Sequence, residues 1–174
     1  MQHSSHLLMI KPAHFDFNAE TAVNNSFQVK STADNIQQNA LLEFETFITT
    51  LRSNGIDVTV IEDSPVPHTP DAVFPNNWIS FHDNAGICLY PMFAGNRRLE
   101  RKRQVLDEIQ KKFRVAQIID LTGYEARNAF LEGTGSMVLD RDHAIAYACL
   151  SPRTDKNVLT VFCEKLHYQP VCFT

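Results

Sequence analysis

Cysteine is sparse in this 174-residue sequence and follows no pattern, with only Cys88, Cys149, Cys163 and Cys172. None stands in C-x-x-C spacing and each lies in an apolar segment, which argues against a dense disulfide framework or a zinc ribbon. Reduced, mostly structural thiols in a cytoplasmic protein are the natural expectation. No apolar run approaches the ~20 residues that a membrane span needs. Leu7-Leu8-Met9-Ile10 is too short for a signal peptide and lacks a small-residue cleavage site. Long lysine or arginine blocks are also missing, and the formal net charge is -4 with a pI near 5.9. Both facts argue against nucleic acid as a standing partner. The densest basic stretch, Arg97, Arg98, Arg101, Lys102 and Arg103, is interrupted by Glu100 and followed by Asp107 and Glu108. It reads mostly as the solvated face of a helix, with one or both leading arginines as exceptions. His3 and His6 have the spacing of a metal pair, but no further ligand is in view, so no metal site is expected. The single tryptophan against twelve phenylalanines points to a core of Phe and aliphatic side chains.

What is present suffices for one domain, residues 1–174, with a real hydrophobic core. From Ala33 to Asn54, apolar residues at Ile36, Ala40, Leu41, Phe44, Phe47, Ile48 and Leu51 form a helical stripe, and Gly55 is placed to cap it. A second helix is expected over 97–113, burying Leu99, Leu106, Ile109 and Phe113. A third runs over 155–167, burying Val158, Leu159, Phe162, Cys163 and Leu166, with Thr154 or Asp155 as its N-cap.

Short apolar segments flank each helix. Trp78–Phe81 and Gly86–Tyr90 surround the turn 82–85, and Ala116–Leu121 follows the second helix. Gly135–Leu139 and Ala144–Ala148 surround the turn 140–143, and Pro170–Phe173 follows the third. The first helix has Leu7–Ile10 before it and Ile56–Ile61 after it. The chain therefore reads as an α/β protein of repeated strand-strand-helix-strand modules, about three in number, packed around an axis or along a row. The last strand runs into Thr174 without a polar tail. That pattern fits an incomplete ring, and also fits a self-contained three-module domain.

Three connectors are too rich in special residues to be plain loops. Pro70-Asp71-Ala72-Val73-Phe74-Pro75-Asn76-Asn77-Trp78 fits ordinary turn chemistry as well as a binding segment. In Leu131-Glu132-Gly133-Thr134-Gly135 the glycines permit close approach of another group. No Lys-Ser/Thr follows and no helix is expected there, so this is not a phosphate loop. Glu132 also fits a salt-bridged strand-end carboxylate. In Leu150-Ser151-Pro152-Arg153-Thr154, Arg153 can present its fork to a carboxylate ligand or pair with an acidic neighbour. Taken together, Asp71, Asn77, Glu132 and Arg153 at module ends suit an α-amino acid with a nitrogen-rich head group.

Pro-Asp-x-Val-Phe at 70–74, Leu-Glu-Gly-x-Gly at 131–135 and Leu-Ser-x-Arg-Thr at 150–154 resemble, in order and approximate spacing, the amidinotransferase/arginine deiminase superfamily, which includes dimethylarginine dimethylaminohydrolase. Phe17–Thr21, Asn24–Gln28 and Phe74–Trp78 look most like its citrulline-utilisation hydrolase branch. The resemblance implies a pentein-type α/β propeller, of which this chain would be the N-terminal modules. It implies a covalent mechanism in which a Cys thiolate attacks the head-group carbon, a His transfers protons and water releases the second product. By the same resemblance, Glu132 matches the catalytic, His-supporting glutamate and Arg153 the arginine that binds the substrate α-carboxylate. Asp71 matches a site carboxylate, and either Arg97 or Arg98 a second carboxylate-binding arginine. No metal or organic cofactor is implied.

Two departures from the family pattern bear on function. Asn76 and Asn77 stand where arginine-directed relatives hold acidic residues. An amide can donate to the oxygen of a neutral ureido group and accept from its N–H, whereas a carboxylate facing that oxygen is repelled. Citrulline hydrolysis to ornithine is therefore favoured over arginine or dimethylarginine as substrate. The second departure is that the family's catalytic His and Cys match nothing in these 174 residues. His143 and His167 lie in unmatched contexts, and Cys172 reads as a core strand residue. A noncatalytic pentein-type domain that binds an amino acid or a protein partner is the alternative. Uncovered strand-rich modules lead us to expect self-association of the chain made alone.

Overall fold

The computed structural model describes residues 4–23, 25, 28–30, 35–83 and 86–174. His3, the first two residues of the expected first helix, Asn24, Ser26, Phe27, Asn84 and Ala85 lie outside them. The described chain divides into two compact units. An N-terminal unit comprises Ser4–Pro75 and Ala94–Lys112, and a C-terminal unit comprises Asn76–Phe93 and Phe113–Thr174.

In the N-terminal unit, β1 (His6–Lys11) and β2 (Asp57–Glu62) pair in parallel, from His6 opposite Asp57 to Lys11 opposite Glu62. Between them come the single turn α1 (Ala19–Ala22) and the long helix α2 (Ile36–Ser53). Phe44 and Ile48 of α2 are buried with Val58, and Met9, Leu51, Ile56, Val60 and Val73 pack around them. Phe47, expected in this stripe, is exposed, because the buried face of α2 is only one residue wide at each turn. Gly55 ends the helix at a φ of 80°, where a side chain is strained, and its N–H donates to Arg52 O.

The helix expected over 97–113 is broken. A turn, α3 (Gly95–Arg98), is followed by an irregular link and then α4 (Arg103–Lys112). Arg97, Glu100 and Lys102 are all buried, and Val105 and Ile109 of α4 are buried as well. On a continuous helix, residues 100 and 102 point to different faces and cannot both turn inward. The basic stretch is thus not one solvated face, although Arg103 is almost fully exposed. Leu99, expected in the core, is exposed, because it follows α3 in helical backbone (φ -76°, ψ -10°) and so stands about 200° round the helix from the buried Arg97.

The C-terminal unit holds two three-stranded sheets. β3 (Ile79–His82) pairs antiparallel with β4 (Gly86–Leu89), which pairs in parallel with β5 (Gln117–Asp120). A single turn α5 (Gly133–Ser136) leads into the second sheet, replacing the expected start of a strand at Gly135. There β6 (Met137–Asp140) pairs antiparallel with β7 (Ile145–Cys149), and β7 pairs in parallel with β8 (Gln169–Phe173) across α6 (Lys156–Leu166). Both sheets thus share the order hairpin, crossover, parallel strand. Asp155 caps α6, its carboxylate accepting from the N–H groups of Asn157 and Val158. One core joins Cys88, Tyr90, Ile119 and Leu121 to Leu131, Met137, Ala146, Ala148, Val158, Leu159, Phe162 and Cys163. Cys172 is not part of it. β8 is bonded along one edge to β7 and all five of its residues are exposed.

Candidate active site

Glu132 sits at the start of α5 with its side chain 1% exposed. The backbone directly before it is fixed. Leu131 N–H donates to Pro91 O, and Leu131 forms a bridge with Thr154. The carboxylate is held at both oxygens: Phe93 N–H donates to Oε1 at 2.9 Å, and Arg153 Nη1 lies 3.4 Å from Oε2. Ser136 ties the two site residues together from behind. Its hydroxyl accepts from Glu132 N–H at 2.7 Å and donates to Arg153 O at 2.7 Å. Arg153 keeps 22% of its side chain exposed, whereas Glu132 is almost completely buried. Glu132 is a salt-bridged carboxylate, and Arg153 pairs with an acidic neighbour. The partner that each takes is the other.

Asn76 and Asn77 occupy the turn Pro75–Asn77. Asn76 is exposed, and its amide donates to Thr134 Oγ1. Asn77 is half-buried. Gly133, at a φ of 35°, lets this turn approach, since a Cβ there would lie 2.3 Å from Asn76 O. Through that contact the Leu-Glu-Gly segment and the Asn-Asn turn are neighbours within the C-terminal unit.

The remaining expected residues belong to the N-terminal unit. Asp71 is 7% exposed and accepts at Oδ2 from Asn18 Nδ2 (2.8 Å) and Thr21 Oγ1 (3.3 Å), with Arg97 Nε at 3.8 Å. Asn18 is fully buried and exchanges amide hydrogen bonds with Asn96, whose N–H donates to Glu20 Oε2. Arg97 directs Nε and Nη2 at the two oxygens of Glu100, at 2.7 and 3.0 Å, and Nη2 also donates to Phe74 O. Arg98 beside it is half-buried.

Sequence reasoning missed Asn18, Glu100 and Ser136. The i, i+3 spacing of Arg97 and Glu100 signals an ion pair, and Asn18 lies in a segment already marked by resemblance. Nothing in the sequence singles out Ser136. The described thiols in the core are poor nucleophiles, because burial pushes Cys88 up to about 12 and Cys163 up to about 11. His82 is lowered to about 4, by burial first and then by the charge of Arg141. Among the described residues no group of three or more His, Cys, Asp or Glu side chains is arranged to hold a metal. No helix among them is long and apolar enough to cross a membrane.

No curated protein matches the sequence directly. The chain is similar in structure to a DDAH from Pseudomonas aeruginosa, solved as a mutant complexed with citrulline. The TM-score is 0.67 at 16% identity, over 97% of this chain and 60% of that one. It is similar also to the N-terminal domain of ArgZ, a cyanobacterial arginine dihydrolase bound to substrate, with a TM-score of 0.70 at 17% identity over 96% of this chain and 56% of that one. A ternary complex of AgrE with ornithine and NAD+ gives a TM-score of 0.71 at 16% identity, over 97% of this chain and 23% of that one. At such identities the likeness shows a common α/β fold, and the chain spans at most 60% of these proteins' length. Residues 11–174 match the family described as N,N dimethylarginine dimethylhydrolase, eukaryotic, and the chain belongs to that family, within the amidinotransferase/arginine deiminase superfamily.

Proposed function

We propose that this chain supplies the substrate-holding part of a hydrolase that cleaves a C–N bond in the head group of a ureido or guanidino amino acid, with citrulline converted to ornithine as the favoured reaction. The observation that carries this reading is the Glu132–Arg153 pair. A buried carboxylate and a partly exposed arginine are fixed to each other by Ser136 inside the two family motifs. Arg153 would exchange Glu132 for the substrate α-carboxylate, a stronger bidentate partner. The resemblance also implies a second carboxylate-binding arginine, either Arg97 or Arg98. Glu132 would then be released to support a His. The nucleophilic Cys and that His are supplied from outside these 174 residues. Asn76 and Asn77 favour the neutral ureido group over a cationic one, and Asp71 is the further site carboxylate that the resemblance implies.

The same reading makes these residues one domain, part of a pentein α/β propeller in a cytoplasmic enzyme, as the repeated strand order and free thiols support. It also implies that the chain made alone self-associates, through the exposed row Val138, Tyr147 and Val171. Light scattering that finds a clean monomer at high concentration would count against that last point. The deciding assay is ornithine release by the full-length protein from citrulline, arginine and dimethylarginine. Turnover of none of the three would move a noncatalytic binding role to first place.

A further inference from the structure

We infer that Gly135 is a specificity-determining position: by carrying no side chain it lets the Asn77 amide settle beside Glu132, and so sets the preference between a ureido and a guanidino head group. This inference rests on the function proposed above. A Cβ at position 135 would lie 2.7 Å from Asn77 Nδ2 and 3.5 Å from Glu132 Oε2. The amide and the carboxylate therefore both face the small space that a methyl group would fill. The two glycines of the motif differ in why they are glycine. Gly133 has a φ of 35°, and its added Cβ would strike the backbone oxygen of Asn76 at 2.3 Å. Position 133 therefore requires glycine for the fold. Gly135 is not among the positive-φ residues, and the only contact under 3 Å that its Cβ would make is with the end of a side chain. A methyl group there leaves the backbone acceptable and displaces one functional group.

The group displaced is the amide nitrogen, a hydrogen-bond donor. A ureido oxygen needs a donor, whereas a guanidinium presents only N–H groups and needs acceptors. Moving the Asn77 NH2 therefore weakens recognition of citrulline more than recognition of arginine. One neutral hydrogen bond corresponds to a factor of about ten.

The test is Gly135→Ala in the full-length protein, with kcat and KM measured for citrulline and for arginine. The citrulline-to-arginine ratio of kcat/KM is expected to fall about tenfold. A purely structural role would lower both substrates by the same factor, and that result, or an unchanged ratio, overturns the inference while leaving the proposed function standing. Wild-type protein that turns over neither substrate overturns both. Asn77→Ala removes the clash, so Gly135→Ala added to that background is expected to leave the ratio where Asn77→Ala alone puts it. Should the single Gly135→Ala variant fail to fold, the double variant is expected to fold. Failure of both to fold places the conflict elsewhere and overturns the inference.

Discussion

Lys102 Nζ lies 2.7 Å from Asp63 Oδ1, with the two side chains 6% and 3% exposed. The ammonium also donates to Ser64 O at 2.6 Å and Thr69 Oγ1 at 3.0 Å, so all three of its protons are placed. Thr69 in turn donates to Asp63 Oδ2. One lysine from the link between α3 and α4 thus closes both ends of the loop 63–69, directly before Pro70 and Asp71. This explains why Lys102 leaves the helical face. The chain breaks so that the cation can reach the loop.

Lys102→Met is expected to destabilise the chain by about 3–5 kcal/mol, because it leaves Asp63 buried without its partner. Replacing both, as Lys102→Met with Asp63→Leu, should recover a large part of that loss, since two apolar groups need no compensation. Urea denaturation of the three proteins measures it. A single-variant loss below about 1 kcal/mol would show that the pair is far more hydrated than its burial indicates.

Glu132→Gln and Arg153→Lys should separate kinetically in the full-length enzyme. Glu132→Gln keeps an acceptor for Phe93 N–H but removes the charge that, under the proposed function, supports a proton-transferring His. It should lower kcat by about 10²–10⁴-fold with little change in KM. Arg153→Lys keeps a charge and loses the fork, so KM should rise, by about tenfold, with a smaller change in kcat. Steady-state kinetics with the preferred substrate decide it, and a reversed pattern would exchange the two roles.

Some of this was legible in the sequence for physical reasons. Helix α6 announces itself by a 3.6-residue apolar stripe and an Asp that caps it, both local signals. The alternation of hairpin, crossover and parallel strand was visible because β-runs and turn residues are local as well. The break at residues 99–102 was not, because it is caused by Asp63 and Thr69, more than 30 positions away. Glu132 and Arg153 stood out as motif residues. Their pairing did not, since it depends on the Leu131–Thr154 bridge and on the hydroxyl of Ser136. Phe47 and Leu99 show the opposite error, where a stripe read on an ideal helix assigned burial to residues whose neighbours leave them exposed.

Asp155→Ala tests the cap of α6. The Asp155 carboxylate accepts from Asn157 N–H at 2.8 Å and Val158 N–H at 3.1 Å. Its loss should cost about 1 kcal/mol, and Asp155→Asn should recover most of it. Thermal unfolding followed by circular dichroism reads the difference. Equal midpoints for Asp155→Ala and the parent would mean that the packing of α6 alone fixes its start.

The chain should also lose stability in mild acid through His82. Its Nε2 lies 2.7 Å from Ser80 Oγ, which lies 2.6 Å from Tyr90 OH, and its ring stands edge-on to Phe162 and Tyr168. Burial, then the positive charge of Arg141, lowers its pKa from 6.5 to about 4, with Asp83 opposing. Between those two values the unfolded chain takes up a proton that the folded chain refuses. The His82 contribution is therefore fully present above pH 6.5 and is lost as pH falls towards 4, at a slope of at most about 1.4 kcal/mol per pH unit. His143 works in the other direction, since its bond to Asp140 raises its pKa, so the wild-type slope alone does not isolate His82. The His82→Gln variant keeps a hydrogen-bonding group near Ser80 and cannot take up the proton. Denaturant unfolding of both proteins at pH 7, 6 and 5 should give a shallower loss for His82→Gln. Parallel curves would mean that His82 titrates alike in the folded and unfolded chain, and that its ring is better hydrated than its packing against Phe162 and Tyr168 implies.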